Sequence, residues 1–182
     1  MVKNKIICID MDDTLNALVF NVIKRYNRKY NDNVQMKDIT TYSIHQHLKP
    51  SCENIFAEFC DREMYLAMKP KLYSMDVIET LMKENSVYFL TAGHPLTMGF
   101  RDEWLAKNLR GYSSKQLIMC GDKHLVKCDI IIDDYDVNVI NSSATTKLLF
   151  HQYWNAHCRR ADVTRVHEWL QIYNILIGGK DE

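Results

Sequence analysis

Four short, wholly apolar runs, each ending in a polar side chain, restrict this chain more than any other feature of its sequence. Ile6-Ile7-Cys8-Ile9 runs into Asp10-Met11-Asp12-Asp13-Thr14, and Val87-Tyr88-Phe89-Leu90 runs into Thr91. Leu117-Ile118-Met119-Cys120 passes through Gly121-Asp122 into Lys123, and Ile130-Ile131-Ile132 runs into Asp133-Asp134. A strand with one wet face alternates apolar and polar residues. A strand covered on both faces is apolar throughout, which is the habit of parallel sheets sandwiched between helices. Open parallel sheets bind ligands just beyond the carboxyl ends of their strands. The polar tips of the four runs are therefore expected to converge at one edge of one sheet.

The rest of the chain fits that frame. Residues 4–10 read as the first strand, and apolar positions Leu15, Leu18, Val19, Val22, Ile23 and Tyr26 read as a helix reaching Tyr30. Residues 51–66 also look helical, with Ile55, Phe56, Phe59 and Cys60 on one side, before a break at Lys69-Pro70-Lys71. Then come a helix at Met75–Lys83, a strand at 87–90, a helix at 97–108 and strands at 116–120 and 128–132. A short helix near 135–141, a strand at Lys147–Phe150 and a last helix at Val163–Ile177 complete the pattern. The alternation predicts an α/β fold with a doubly wound parallel sheet. Residues 17–70 interrupt it without an evident strand, so they are read as a small helical cap inserted after the first strand, over the polar edge. Residues 1–16 and 71–182 are then the core. The sequence shows no internal repeat and no low-complexity tract.

Composition narrows the partners. Lys plus Arg and Asp plus Glu both total 23, so the net charge is zero and no long basic footprint for nucleic acid is implied. No apolar stretch approaches the ~18 residues of a membrane span, and the run after Lys3 and Lys5 is too short for a signal-peptide core. Six cysteines occur without a Cys-x-x-Cys, which points to a reduced, cytoplasmic protein. Cys8 and Cys120 are expected inside strands as small hydrophobes.

The residue types at the strand ends suit phosphoryl transfer. Phosphate monoesters hydrolyse so slowly that catalysis can require up to ~10²¹-fold acceleration, and a covalent aspartyl-phosphate divides that task into two easier steps. Asp10, directly after its strand, is placed as nucleophile. Asp12, one step further out, could protonate the leaving oxygen and later activate water. Asp13 and Thr14 are good helix-capping residues. Adjacent Asp133 and Asp134 repel one another and call for a cation, and Mg²⁺ suits carboxylates shared with a substrate phosphate. Thr91 and Lys123 would hold the phosphoryl group, helped by free backbone amides in the loop Thr91-Ala92-Gly93-His94-Pro95, where His94 could touch substrate.

The order Asp-x-Asp-x-Thr, Thr, Lys, Asp-Asp resembles the haloacid dehalogenase superfamily, over nearly the whole chain. Asp10-Met11-Asp12, Gly121-Asp122-Lys123 ten residues before Asp133, and the Leu149-Phe150 strand leading to Asn155 are similar to the 5'(3')-deoxyribonucleotidase family. That resemblance implies a Rossmann-like core and hydrolysis of nucleoside monophosphates. Asp10 would be the nucleophile and Asp12 the general acid and base. The backbone carbonyl of Asp12 would join Asp10, Asp133 and Asp134 around Mg²⁺, with Thr91, Ala92 and Lys123 on phosphate. It also implies aromatic residues of a helical cap around the base, for which Leu18, Tyr42, Phe59 and Tyr65 are candidates. Asp13 stands where the family often has glycine, and Leu18 where animal members carry an aromatic residue.

Other readings remain open at this level. The same chemistry could serve a sugar phosphate, another small ester or the 3'-phosphate end of a nucleic acid. A phospho-accepting receiver domain would place its acidic pair at the first strand and its phosphorylated aspartate on a middle one, which does not match the order here. A degenerate nucleotide binder would not retain every group. His151, His157 and Cys158 lack a second cysteine pair for zinc. Trp154, Trp169 and Tyr173 read as packing, and Arg159 and Arg160 as a solvated pair. The expected partner is a small-molecule nucleotide, with no membrane and no stable nucleic-acid partner. Self-association as a homodimer is left open.

Overall fold

The computed structural model describes residues 1–52 and 54–178. Glu53, inside the expected cap, and residues 179–182 of the expected core lie outside the described residues. Six strands form one all-parallel sheet: β1 (Ile6–Asp10), β2 (Ser86–Thr91), β3 (Leu117–Met119), β4 (Ile130–Asp133), β5 (Thr146–Phe150) and β6 (Thr164–Val166). Their order across the sheet is β3-β2-β1-β4-β5-β6. The chain therefore builds outward from β1 in one direction and then returns to build outward in the other. The reversal falls between β1 and β4, so a crevice opens beyond their carboxyl ends. Asp10 closes β1 and Asp133 closes β4.

Strand alternation divides the core. Ile7 and Ile9 of β1, Ile130 and Ile132 of β4, and Leu148 and Phe150 of β5 join the larger apolar cluster. Ile131 and Leu149 point the other way, onto Val139 of α5 (Asp136–Asn141). Both sheet faces are thus apolar, as the continuous hydrophobic runs require.

The helix α1 (Leu18–Tyr30) buries Leu18, Val22, Ile23 and Tyr26 and ends at Asn31, whose φ of 47° is the left-handed conformation that closes helices. Residues 36–60 contain short 3₁₀ turns, then Asp61 caps α2 (Arg62–Ala67) by accepting from the Met64 N–H at 2.7 Å. The helix α3 (Ser74–Met82) leads into β2, and α4 (Met98–Asn108) follows it. α2 docks on α4: Tyr65 packs against Phe100 and Trp104, and the Trp104 indole N–H donates to the Met68 carbonyl at 2.8 Å.

Several expectations need correction. The helix expected at 51–66 is a 3₁₀ stretch, Ile55–Cys60, followed by the separately capped α2. Cys120 lies just past β3 rather than inside it. The helix expected from Val163 to Ile177 splits into β6 and α6 (Trp169–Leu176). Val163, Val166, Trp169 and Ile172 are spaced by three, which mimics a helical stripe. The β-branched stretch instead pairs with β5, burying Val166. Tyr173 is substantially exposed, whereas Trp154 and Trp169 are buried. Trp169 packs against Phe150 and donates its indole N–H to the Thr14 carbonyl at 3.1 Å, tying α6 to the loop after β1. Trp169→Ala should therefore lower the unfolding free energy by about 3–5 kcal/mol, read as a shifted urea midpoint with an unchanged slope.

Candidate active site

Asp10, Asp12, Thr91, Ala92, Lys123 and Asp134 meet in one cavity of about 550 Å³, within the ~300–1,000 Å³ common for small-molecule sites. Asp133 lies just behind it. Its Oδ2 accepts from Lys123 Nζ at 2.9 Å and from Asn138 Nδ2 at 3.1 Å, while Oδ1 accepts from the Tyr135 N–H at 2.8 Å. Lys123 opens a 3₁₀ turn after β3, and its buried ammonium also donates to Asp10 Oδ1. The second oxygen of Asp10, Oδ2, is buried with no hydrogen-bond partner among the described residues. Buried polar atoms are seldom left unpaired, so this oxygen marks a position where a ligand atom belongs.

Electrostatics sharpen that reading. Burial pushes the Asp10 carboxyl up to about 7 against the pull of Lys123, with Asp133 and Asp12 adding to the rise. Burial, then Asp10 and Asp133, push Asp134 well above the ordinary carboxylate range. Burial opposes the Lys123 charge, but Asp10 and Asp133 raise its pKa overall, so it stays an ammonium. One ammonium faces three buried carboxyls. Oxygens of Asp10, Asp133 and Asp134 lie within 4.8 Å of one another, a hard, all-oxygen donor set that fits a divalent cation. The Asp12 side chain is not part of this group.

The Asp12 carboxylate faces other partners. Oδ2 accepts from Arg101 Nη2 at 2.5 Å and Nε at 3.2 Å, and Oδ1 accepts from the Tyr65 hydroxyl at 2.8 Å and from Asn16 Nδ2 at 3.3 Å. Asp13 has a φ of 60°, the left-handed region that glycine occupies freely. Its carboxylate accepts from the Val19 N–H through both oxygens, within the first turn of α1. Burial lifts Asp13 to about 7, opposed by nearby Lys71. Thr91 closes β2, fully buried. Its hydroxyl accepts from the Gly93 N–H at 3.1 Å, so that loop amide is not free as expected from sequence.

The cavity also carries apolar side chains in its wall. Leu18 and Phe59 line it with Ile39, Ile44 and Phe56, and His94 lines its loop side. Tyr42 also lines it and stacks on Tyr135, with ring centroids 3.9 Å apart. Tyr65 is different: it is fully buried, absent from the cavity wall and turned toward Asp12. It is misplaced for contact with a base.

Two site residues escaped the sequence reading as such, and a third, Asn155, entered it only as part of a motif. Arg101 falls on the buried side of α4 with Phe100, Trp104 and Leu105. A charge on an apolar stripe was the available signal, because a buried arginine needs a partner. Trp154, read as packing, donates its indole N–H to Asp134 Oδ2 at 3.1 Å. Asn155 is completely buried and donates to the carbonyls of Asp134 and Phe150 at 2.7 and 2.8 Å, and Arg165 Nη1 donates to its Oδ1 at 2.5 Å.

Solved structures share this architecture. A haloacid dehalogenase-like hydrolase from Streptococcus pneumoniae superposes with a TM-score of 0.62 at 12% identity, covering 96% of this chain and 99% of that one. A hydrolase from Pseudomonas syringae gives 0.59 at 16%, covering 96% and 98%. These likenesses define a haloacid dehalogenase-like fold. Among curated relatives, the 5'(3')-deoxyribonucleotidase of Clostridium acetobutylicum is 28% identical over 90% of this chain and 89% of its own. That of Bacillus subtilis is 27% identical over 95% and 99%. Residues 4–181 match the family described as 5' nucleotidase, deoxy (pyrimidine), cytosolic type C. The chain belongs to this family of phosphoric monoester hydrolases.

The raised carboxyls give a signed expectation. Asp10 and Asp13 bind protons more firmly folded (about 7) than unfolded (~3.9). The stability this confers is complete below pH ~4 and is lost as pH rises through ~7. Metal-free protein should therefore weaken across that window. A saturating divalent cation should raise the melting temperature by about 5–10 °C at pH 7.5 and much less at pH 5, where protons compete for the oxygens. An equal shift at both pH values would show that the ion binds elsewhere.

Proposed function

We propose that this protein hydrolyses (deoxy)ribonucleoside monophosphates to nucleoside and phosphate, in the reducing cytoplasm, with Mg²⁺ as cofactor. The observation that carries the reading is the mixed lining of the cavity. Asp10, with its unpaired oxygen, Thr91 and Lys123 share the wall with an apolar enclosure of base-sized aromatic and aliphatic side chains. A sugar phosphate is polar over its whole surface and would waste that enclosure. All six cysteines are free, in keeping with a reducing compartment. No helix of the described residues is long and apolar enough to cross a membrane.

In the proposed cycle the phosphoryl group is held by Thr91, the Ala92 loop and Lys123. An Asp10 oxygen attacks phosphorus, the bond to the nucleoside oxygen breaks, and Asp12 gives that oxygen its proton. Water then attacks the aspartyl-phosphate, Asp12 takes the water proton, and Asp10 is restored as phosphate leaves. Asp10, Asp133, Asp134 and the Asp12 carbonyl would hold Mg²⁺, which when bound offsets the charge of the phosphate and the attacking carboxylate. Leu18, Tyr42 and Phe59 would enclose the base, with His94 near the sugar or phosphate.

Two measurements test this. Asp10→Asn should lower phosphate release on the order of 10⁴-fold or more while keeping the fold, because the covalent route is lost. Wild-type turnover by that variant would remove Asp10 from the chemistry. In a panel of nucleoside and sugar monophosphates, the nucleotides should show the highest kcat/KM. A sugar phosphate ahead of every nucleotide would overturn the substrate class and leave the chemistry standing.

A further inference from the structure

We propose that Arg101 and Tyr65 form a clamp that fixes the Asp12 carboxylate for proton transfer, which makes Arg101 a positioning residue of the hydrolytic cycle. This rests on the reading of Asp12 as the acid and base. The terminal torsion of an aspartate is broad, so a carboxylate with one partner swings. Here each oxygen is held separately: Oδ2 by two guanidinium nitrogens, Oδ1 by the Tyr65 hydroxyl and Asn16. The plane of the carboxylate is thereby set.

The clamp is itself built in. The guanidinium carbon lies 4.9 Å from the centre of the Tyr65 ring and 5.7 Å from that of Phe100. On its other side is Gly93, where an added Cβ would come within 2.6 Å of the guanidinium carbon. A side chain at this position would push the guanidinium from its present place. The Arg101 side chain is 3% exposed and that of Asp12 22%. Both side chains line the cavity, and that of Asp12 is the more exposed. Removing the clamp should impair the steps in which Asp12 moves a proton and spare a step that needs none.

Proton demand differs between esters. A nucleoside leaves as an alcohol and requires the Asp12 proton, whereas 4-nitrophenolate leaves unprotonated. Hydrolysis of the aspartyl-phosphate requires Asp12 to take a proton from water in both cases. In Arg101→Met, turnover of a deoxyribonucleoside monophosphate should fall about 100-fold. With 4-nitrophenyl phosphate the variant should show a rapid burst of one nitrophenolate per site, followed by slow turnover. Arg101→Lys should recover part of the loss, and Tyr65→Phe should give a smaller burst phenotype. Gly93→Ala should be harmful in the wild type and nearly neutral in Arg101→Met, because there is no longer a guanidinium to displace.

A raised KM with unchanged kcat would show that Arg101 grips substrate, and the proposal would fall. Equal slowing of both esters without a burst, alongside a lowered melting temperature, would reduce Arg101 to a structural role. Wild-type protein that releases phosphate from no monoester would instead defeat the underlying functional reading.

Discussion

The ammonium of Lys123 lies between the carboxylates of Asp10 and Asp133, and the arrangement of the sheet edge depends on it. The three groups come from the ends of β1 and β4 and from the turn after β3, and all are buried. Without the ammonium, two like charges at adjacent strand ends would repel in a poorly solvating interior. Breaking such a buried pair by deleting one partner typically costs ~3–5 kcal/mol. The same contact distinguishes the two oxygens of Asp10. It occupies one oxygen of Asp10 and leaves the other buried without a hydrogen-bond partner among the described residues. One positive charge among three acidic groups leaves a deficit, and that deficit suits the edge to a cation.

Much of this was legible in the sequence because it follows from the strands. Apolar runs buried on both faces can be read without knowing their neighbours, and the polar residue ending each run must then lie at the same edge. Asp10, Thr91, Lys123, Asp133 and Asp134 were accessible for that reason. The resemblance carried by the same motifs agrees with the family to which the chain belongs. Arg101 was not accessible in this way. It lies in mid-helix, and its role appears only once α4 is packed against α2 and the Gly93 loop. Tyr65 was read as an aromatic for a base because its type fitted, yet burial against Trp104 turns its hydroxyl toward Asp12. The β6 segment failed because a spacing of three apolar residues is shared by a helix and by a strand running into a helix.

Local rules explain where this chain departs from its resemblance. Asp13 occupies a left-handed φ that favours glycine, and aspartate is among the few side chains that tolerate it. The strain is offset by hydrogen bonds to the start of α1. Lys71 lies over the Phe150 ring at 4.4 Å and opposes the added negative charge at Asp13. The substitution is therefore accommodated by a helix cap on one side and a cation on the other.

The edge strand β6 contributes no residue to the cavity wall, yet it is mechanically joined to the centre. From β6, Arg165 grips Asn155, and Asn155 holds the main chain of Asp134. An acidic residue at the heart of the sheet thus takes its height from an arginine at the rim. Substitutions along that rim would be felt as loosened geometry in the middle, so remoteness in this fold is a poor guide to which positions tolerate change.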